Sequence, residues 1–78
     1  MEIKVLGTGC AKCKRLEDMT QEVVDENELD ATVEKVEDIM QIMEYGIMRT
    51  PGLVIDGKVV LSGEVPKKET LKDLLTNN

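Results

Sequence analysis

Histidine, tryptophan and phenylalanine are missing from this 78-residue chain, and Tyr45 is its only aromatic residue. Without histidine there is no Cys/His nucleophilic dyad, and without aromatic rings there is no platform on which nucleic-acid bases could stack. Positive charge is also scarce. The 10 Lys and Arg face 16 Asp and Glu, and the formal net charge of −6 argues against nucleic acid as a partner and gives no support to phosphate binding. Long apolar runs are absent as well: Met1-Glu2-Ile3-Lys4-Val5-Leu6 is too short and too charged for a signal peptide, and no stretch reaches the length of a membrane span. The expected setting is therefore the cytoplasm, with no membrane partner. A chain of this length has room for one domain, residues 1–78, able to bury about 60–65% of its unfolded surface. It carries no linker, repeat or low-complexity segment.

Cysteine is scarce too, but both copies fall together in Gly7-Thr8-Gly9-Cys10-Ala11-Lys12-Cys13-Lys14, where an apolar strand-like run gives way to a helical pattern. Two cysteines three residues apart at such a junction serve as a redox dithiol, a soft-metal clamp or small core filler. In a reducing compartment a lone pair points to catalysis or metal binding before a structural staple. Helix geometry divides their roles. Leu16, Met19, Val23 and Val24 recur at helical spacing, and Cys13 joins that stripe facing the core. Cys10 precedes it at the cap position, where unpaired N–H groups and the positive end of the helix dipole favour a thiolate. The spacing therefore predicts an exposed, reactive Cys10 and a shielded Cys13, the division that dithiol exchange requires.

The charges of this helix run against its dipole. Lys12, Lys14 and Arg15 crowd the first turns, while Glu17, Asp18, Glu22, Asp25 and Glu26 fill the remainder. Each misplaced terminal charge costs roughly 0.3–1 kcal/mol. A positive field beside Cys10, with Lys12 nearest, offsets that cost by stabilising its thiolate and steering partners; the alternative is a solvated face with no role.

Taken in order, Glu2 to Leu6 reads as a buried strand, with Ile3 and Val5 on one face and Lys4 and Leu6 on the other. Gly7 and Gly9 supply backbone freedom and let another chain approach Cys10. The first helix runs to about Asn27, and Asp30 to Val36 is a β-branched strand that should pair in parallel with the first. Asp38 and Gln41 resemble a capping box opening a short apolar helix with Ile39, Met40, Ile42 and Met43, closed by Gly46. Beyond Pro51, Gly52 to Ile55, Asp56-Gly57 and Lys58 to Leu61 form a hairpin. Ser62-Gly63-Glu64 turns the chain, Pro66 fits a first helical position, and Leu71, Leu74 and Leu75 stripe a closing helix whose last residues, Thr76 to Asn78, fray. The order is βαβαββα, an α/β domain with a four-stranded mixed sheet flanked by three helices.

Tyr45-Gly46-Ile47, followed by Pro51 and Leu53, resembles the Tyr-Gly-Ile/Val … Pro-Thr-Leu segment of thioredoxins. With the Cys-x-x-Cys, the element order and the Asp56-Gly57 hairpin, the likeness spans nearly the whole chain and is closest to small, glutaredoxin-sized thioredoxin-like redox-active disulfide proteins. The resemblance implies a minimal thioredoxin-like fold in which Cys10 is the nucleophile, Cys13 the resolving thiol and Pro51 a cis-proline, with the Thr50 backbone pairing with the substrate strand and Gly9 and Lys12 bordering the site. It also implies a disulfide oxidoreductase and electron carrier, acting on protein disulfides and recharged by a thioredoxin-reductase-like donor. It would work as a monomer, with no cofactor or metal beyond the Cys10–Cys13 pair. The chain departs from the family in places. Gly9-Cys10-Ala11-Lys12-Cys13 replaces Trp-Cys-Gly-Pro-Cys, Gly52 replaces Thr, and Lys4 replaces the buried acid six residues before the nucleophile, leaving deprotonation of Cys13 without an assigned base. Ser62-Gly63-Glu64 is a poor match to the glutathione-holding segment of glutaredoxins.

A Gly-x-x-Cys-x-x-Cys loop also resembles heavy-metal-associated domains, and two thiolates suit Cu(I) or Zn(II). Those domains are βαββαβ and end in a strand, whereas this chain is expected to end in a helix. Met40, Met43 and Met48 could form a soft-metal patch, but their spacing and neighbours predict core packing. Tyr45 is expected to pack at a helix end rather than to shape the site's rim.

Overall fold

The computed structural model describes residues 1–9 and 11–76. Cys10, Asn77 and Asn78 lie outside the described residues. The elements are β1 (Glu2–Leu6), α1 (Ala11–Glu26), β2 (Thr32–Val36), α2 (Ile39–Glu44), β3 (Gly52–Ile55), β4 (Lys58–Ser62) and α3 (Lys68–Thr76), the βαβαββα order of a minimal thioredoxin-like fold. The sheet runs β2-β1-β3-β4. β1 is parallel to β2, with Val5 opposite Lys35, and antiparallel to β3, with Leu6 opposite Gly52.

Strand alternation assigns the two faces of this sheet. Ile3 and Val5 of β1 and Leu53 and Ile55 of β3 point to one side, where Leu16, Val23 and Val24 of α1 and Leu71 and Leu75 of α3 cover them. Leu6 and Val54 point to the other, where α2 contributes Ile42 and β2 contributes Val36. The buried stripe of α1 includes Thr20 in place of the expected Met19, which is half-buried. Thr20 tolerates burial because its hydroxyl donates to the Leu16 carbonyl at 2.7 Å. On the surface, Lys68 of α3 bridges Glu22 and Glu26 of α1 at 3.3 and 2.6 Å.

The turns follow from local chemistry. Asp56 and Gly57 have φ of 49° and 85°, the two positive values of a two-residue hairpin turn whose twist matches that of the strands. The Asp56 carboxylate accepts the Glu2 N–H at 2.8 Å, fastening the turn to the start of β1. The Asp38 carboxylate caps α2 through the Met40 N–H at 2.9 Å, one residue short of the Gln41 position that a capping box uses. Gly46, at φ 77°, closes α2 after its C-cap Tyr45. Pro66 falls outside α3, because the first i to i+4 bond is from Leu71 N–H to the Lys67 carbonyl. Thr76 is still helical, and its hydroxyl donates to the Lys72 carbonyl at 2.7 Å.

The methionines overturn an expectation. Met40, Met43 and Met48 are 67%, 64% and 98% exposed, so they do not pack in the core. A six-residue helix turns few positions inward, and Ile42 fills the space beneath α2 together with Tyr45, Ile47 and Val59. Burial therefore separates the two residue classes energetically. Leu53→Ala, at a fully buried site, should cost about 2–5 kcal/mol, whereas Met48→Ala should stay within about 0.5 kcal/mol of wild type. Urea unfolding midpoints at constant m-value would check both.

Candidate active site

The site is built where β1 ends. The ladder runs one residue past Leu6, with the Gly7 N–H donating to the Val36 carbonyl at 2.9 Å. Gly7 is buried, and the space where its side chain would be is taken by Cys13. A Cβ on Gly7 would lie 2.7 Å from Cys13 Cβ and would overlap Cys13 Sγ. Gly7 therefore does not hold room open for an incoming chain, as its sequence context suggested; the protein's own thiol occupies that room. Gly9 differs, being exposed at φ 90° with no atom within 4 Å of where a Cβ would stand, so there glycine serves the backbone conformation.

Cys13 is 3% exposed, held inward on the stripe shared with Leu16 and Thr20. Lys12, Lys14 and Arg15 are exposed around it, and α1 has no acidic residue in its first turn and no basic residue in its last. The reversed charge order thus sits on the described helix.

Across the sheet stands Pro51. Continuing the β1–β3 register one step beyond Leu6 and Gly52 sets Pro51 opposite Gly7, the residue against which Cys13 rests. The Thr50–Pro51 bond is cis. Pro51 is buried and its carbonyl accepts the Gly63 N–H at 2.8 Å, while Thr50, the next residue outward, is half-buried. Gly52 has a steric reason to lack a side chain, since a Cβ there would meet Ile47 Cδ1 at 2.7 Å and Leu6 Cδ1 at 3.4 Å. Beside Thr50, an open groove lined by Ile39, Met43, Ile47, Met48 and Arg49 runs along the exposed side of α2.

Lys4 faces away from the thiol. Its ammonium donates to the Tyr45 hydroxyl at 3.4 Å and pairs with Glu2 at 3.3 Å, on the face covered by α2. The Tyr45 hydrogen bond, followed by that of Glu2, raises the Lys4 pKa above its ordinary value. Tyr45 packs at the end of α2. Two residues that were not singled out in the sequence lie on the thiol's side instead. Glu17 follows Cys13 by one helical turn, and Lys35 of β2 lies 3.9 Å from its Oε2. Lys35 is held in its charged form chiefly by its hydrogen bond to Glu37, at 2.9 Å, with smaller contributions from Glu17 and Cys13. The four-residue spacing was visible in the sequence; the register that brings Lys35 to it was not.

The βαβαββα order and the β2-β1-β3-β4 sheet define a small protein of the thioredoxin superfamily. More particularly, the chain belongs to the thioredoxin domain family, which it matches over residues 1–76. It is 42% identical over 76 residues to a thioredoxin of Methanothermobacter thermautotrophicus, covering 97% of this chain and 99% of that protein. It is 36% identical over 73 residues to a thioredoxin of Methanocaldococcus jannaschii, covering 94% of this chain and 84% of that one.

The Gly7 contact makes a direct prediction. Gly7→Ala should displace the Cys13 side chain, costing about 1–3 kcal/mol and accelerating alkylation of Cys13 measured in a Cys10→Ser background. Gly9→Ala should cost stability through its backbone at φ 90° without accelerating Cys13 alkylation, because no atom packs against that position.

Proposed function

We propose that the chain reduces protein disulfides through Cys10 and Cys13. The Cys10 thiolate attacks one sulfur of a substrate disulfide, forming a mixed disulfide and releasing the other sulfur as a thiolate that takes up a proton. Cys13 loses its proton and attacks Cys10 Sγ; the Cys10–substrate bond breaks, and the second substrate sulfur leaves as a thiol once protonated. Two electrons pass to the substrate, and the Cys10–Cys13 pair is left as a disulfide. A thioredoxin-reductase-like donor returns the two electrons. The dithiol is proposed to need no other cofactor and no metal, and to act in the reducing cytoplasm, where a lone cysteine pair is best suited to exchange chemistry.

The observation that carries this reading is the seating of Cys13. A resolving thiol must be withheld from solvent oxidants and outside disulfides, yet stay near its partner cysteine. Burial at 3% exposure against Gly7 serves the first need, and a place in the first turn of α1, three residues after Cys10 in sequence, supports the second. Kinship with two proteins named thioredoxin supports it. The element order supports it over soft-metal carriage, since a helix and not a strand follows β2, and α3 follows β4. Thr50 and the groove beside it suit an extended polypeptide better than a small molecule, because the groove is open and flanked by the apolar side chains of Ile39, Met43, Ile47 and Met48.

Trapping tests the reading. Cys13→Ser should accumulate covalent complexes with protein substrates that dithiothreitol releases, Cys10→Ser should accumulate few, and only the wild type should reduce an insulin-type disulfide catalytically. Equal loss of Cu(I) or Zn(II) affinity in both variants, without mixed disulfides, would instead favour metal carriage. The groove makes a second prediction. Replacing Met43 and Met48 together by Ser should raise KM for a protein disulfide several-fold, and by more than for a small aryl disulfide.

A further inference from the structure

The resolving step needs somewhere for the Cys13 proton to go, and one atom in the structure is conspicuously short of hydrogen-bond donors. Glu17 Oε2 is sealed from solvent and has no hydrogen-bond partner among the described residues, although the Glu17 side chain as a whole is 30% exposed. Its nearest cation, Lys35 Nζ, stands 3.9 Å away, beyond hydrogen-bond reach, and is engaged with Glu37 at 2.9 Å. A buried carboxylate oxygen without a donor is costly, and such groups call for an explanation. Helix geometry supplies one. Residues four apart on α1 are neighbours on one face, so Glu17 stands one turn along from Cys13.

We propose that Glu17 is the proton acceptor for Cys13, with Lys35 as the positioning residue that holds charge beside both groups. This rests on the dithiol reading above. In the mixed disulfide, the Cys13 S–H proton passes to the Glu17 carboxylate. The resulting thiolate attacks Cys10 Sγ, the Cys10–substrate S–S bond breaks, and the departing substrate thiolate takes a proton from the neutral Glu17 carboxyl or from solvent. No electrons beyond the two of the dithiol are involved. Lys35, 3.9 Å from Glu17 Oε2 and opposite Val5 on the face that α1 covers, lowers the cost of each anion in turn, carboxylate before the transfer and thiolate after it. The surroundings suit the role. Val5, opposite Lys35, is apolar; Asp18 and Gln21 of α1 and Val33 and Lys35 of β2 line, with Glu17, a cleft that gives the carboxylate a route to exchange its proton with water. Glu37, just past β2, completes the charged groups on this side. Lys4 is on the opposite face with Tyr45, so it does not compete.

Reduced protein mixed with excess dithiobis(nitrobenzoate) separates the two steps. The first equivalent of thionitrobenzoate reports attack by Cys10, and the second reports resolution by Cys13. Glu17→Gln, which keeps the shape of the side chain, should leave the first phase intact and slow the second on the order of 100-fold near neutral pH. The gap should narrow as pH rises and hydroxide deprotonates Cys13 directly. Glu17→Asp should recover part of the rate, and Lys35→Met should slow the second phase more than the first. A second phase unchanged in Glu17→Gln across the pH range would overturn the proposal, as would equal slowing of both phases, which marks a structural role. If wild type releases only one equivalent, or ends with thionitrobenzoate bound to both cysteines instead of a Cys10–Cys13 disulfide, the dithiol reading itself falls and this inference with it. Circular dichroism and the intact first phase establish that each variant is folded.

Discussion

One contact sets the rest of the arrangement: the Cys13 side chain lying on the bare Cα of Gly7. A helix of ordinary diameter cannot bring a side chain so close to a strand terminus unless the strand residue has none of its own. That approach fixes how α1 leaves β1, and hence where the head of the helix, with its thiol and its lysines, stands over the sheet. Gly7 also donates its N–H to Val36 and sits at the register position of Pro51, so three strands meet at the residue that receives the thiol. The contact resembles core packing in its energetics and active-site construction in its result.

The sheet register carries this geometry outward. Because β1 is paired on both sides, a one-residue slip would turn Val5 and Leu6 to the wrong faces and move Pro51 away from Gly7 together. The same hydrophobic alternation that specifies the fold therefore specifies the site. It also sorts the two lysines. Lys4, on the α2 face, is tied to Tyr45 and Glu2, while Lys35, on the α1 face, pairs with Glu37 and stands 3.9 Å from Glu17.

Much of this was legible in the sequence. Period-two apolar runs, the Asp56-Gly57 turn and the Gly46 stop report local preferences, and each was readable because neighbours in sequence decide it. The Cys-x-x-Cys and Pro51 were readable for the same reason. What stayed hidden depends on distant partners. Met40 and Met43 have helical spacing and apolar neighbours, yet spacing cannot reveal that a helix of only six residues has one inward position, already taken by Ile42. Nothing near Gly52 in sequence explains its departure from threonine, because the side chain that fills its place belongs to Ile47. Gly7 read as a flexible loop residue because nothing local shows that Cys13 folds back onto it. Glu17 was grouped with the acidic remainder of α1, since only the parallel pairing of β1 with β2 brings Lys35 beside it.

Those hidden features share a physical character that bears on function. A domain of this size has little surplus stability, so costs left uncompensated in it are informative. Here they gather around one end of the sheet. The lysines of α1 oppose its dipole, Glu17 Oε2 is buried without a donor among the described residues, and Ile39 and Met43 of α2, with Met48 beyond it, lie exposed beside Thr50. Elsewhere the chain satisfies itself in ordinary ways: Thr20 bonds its own helix, Asp38 caps α2, Asp56 fastens the hairpin to β1, and Lys68 clasps α1 to α3. Random imperfection would scatter such costs over the molecule. Their concentration around the buried Cys13 fits the exchange chemistry proposed for the chain, because positive charge favours a thiolate and a polypeptide substrate needs apolar surface to rest on.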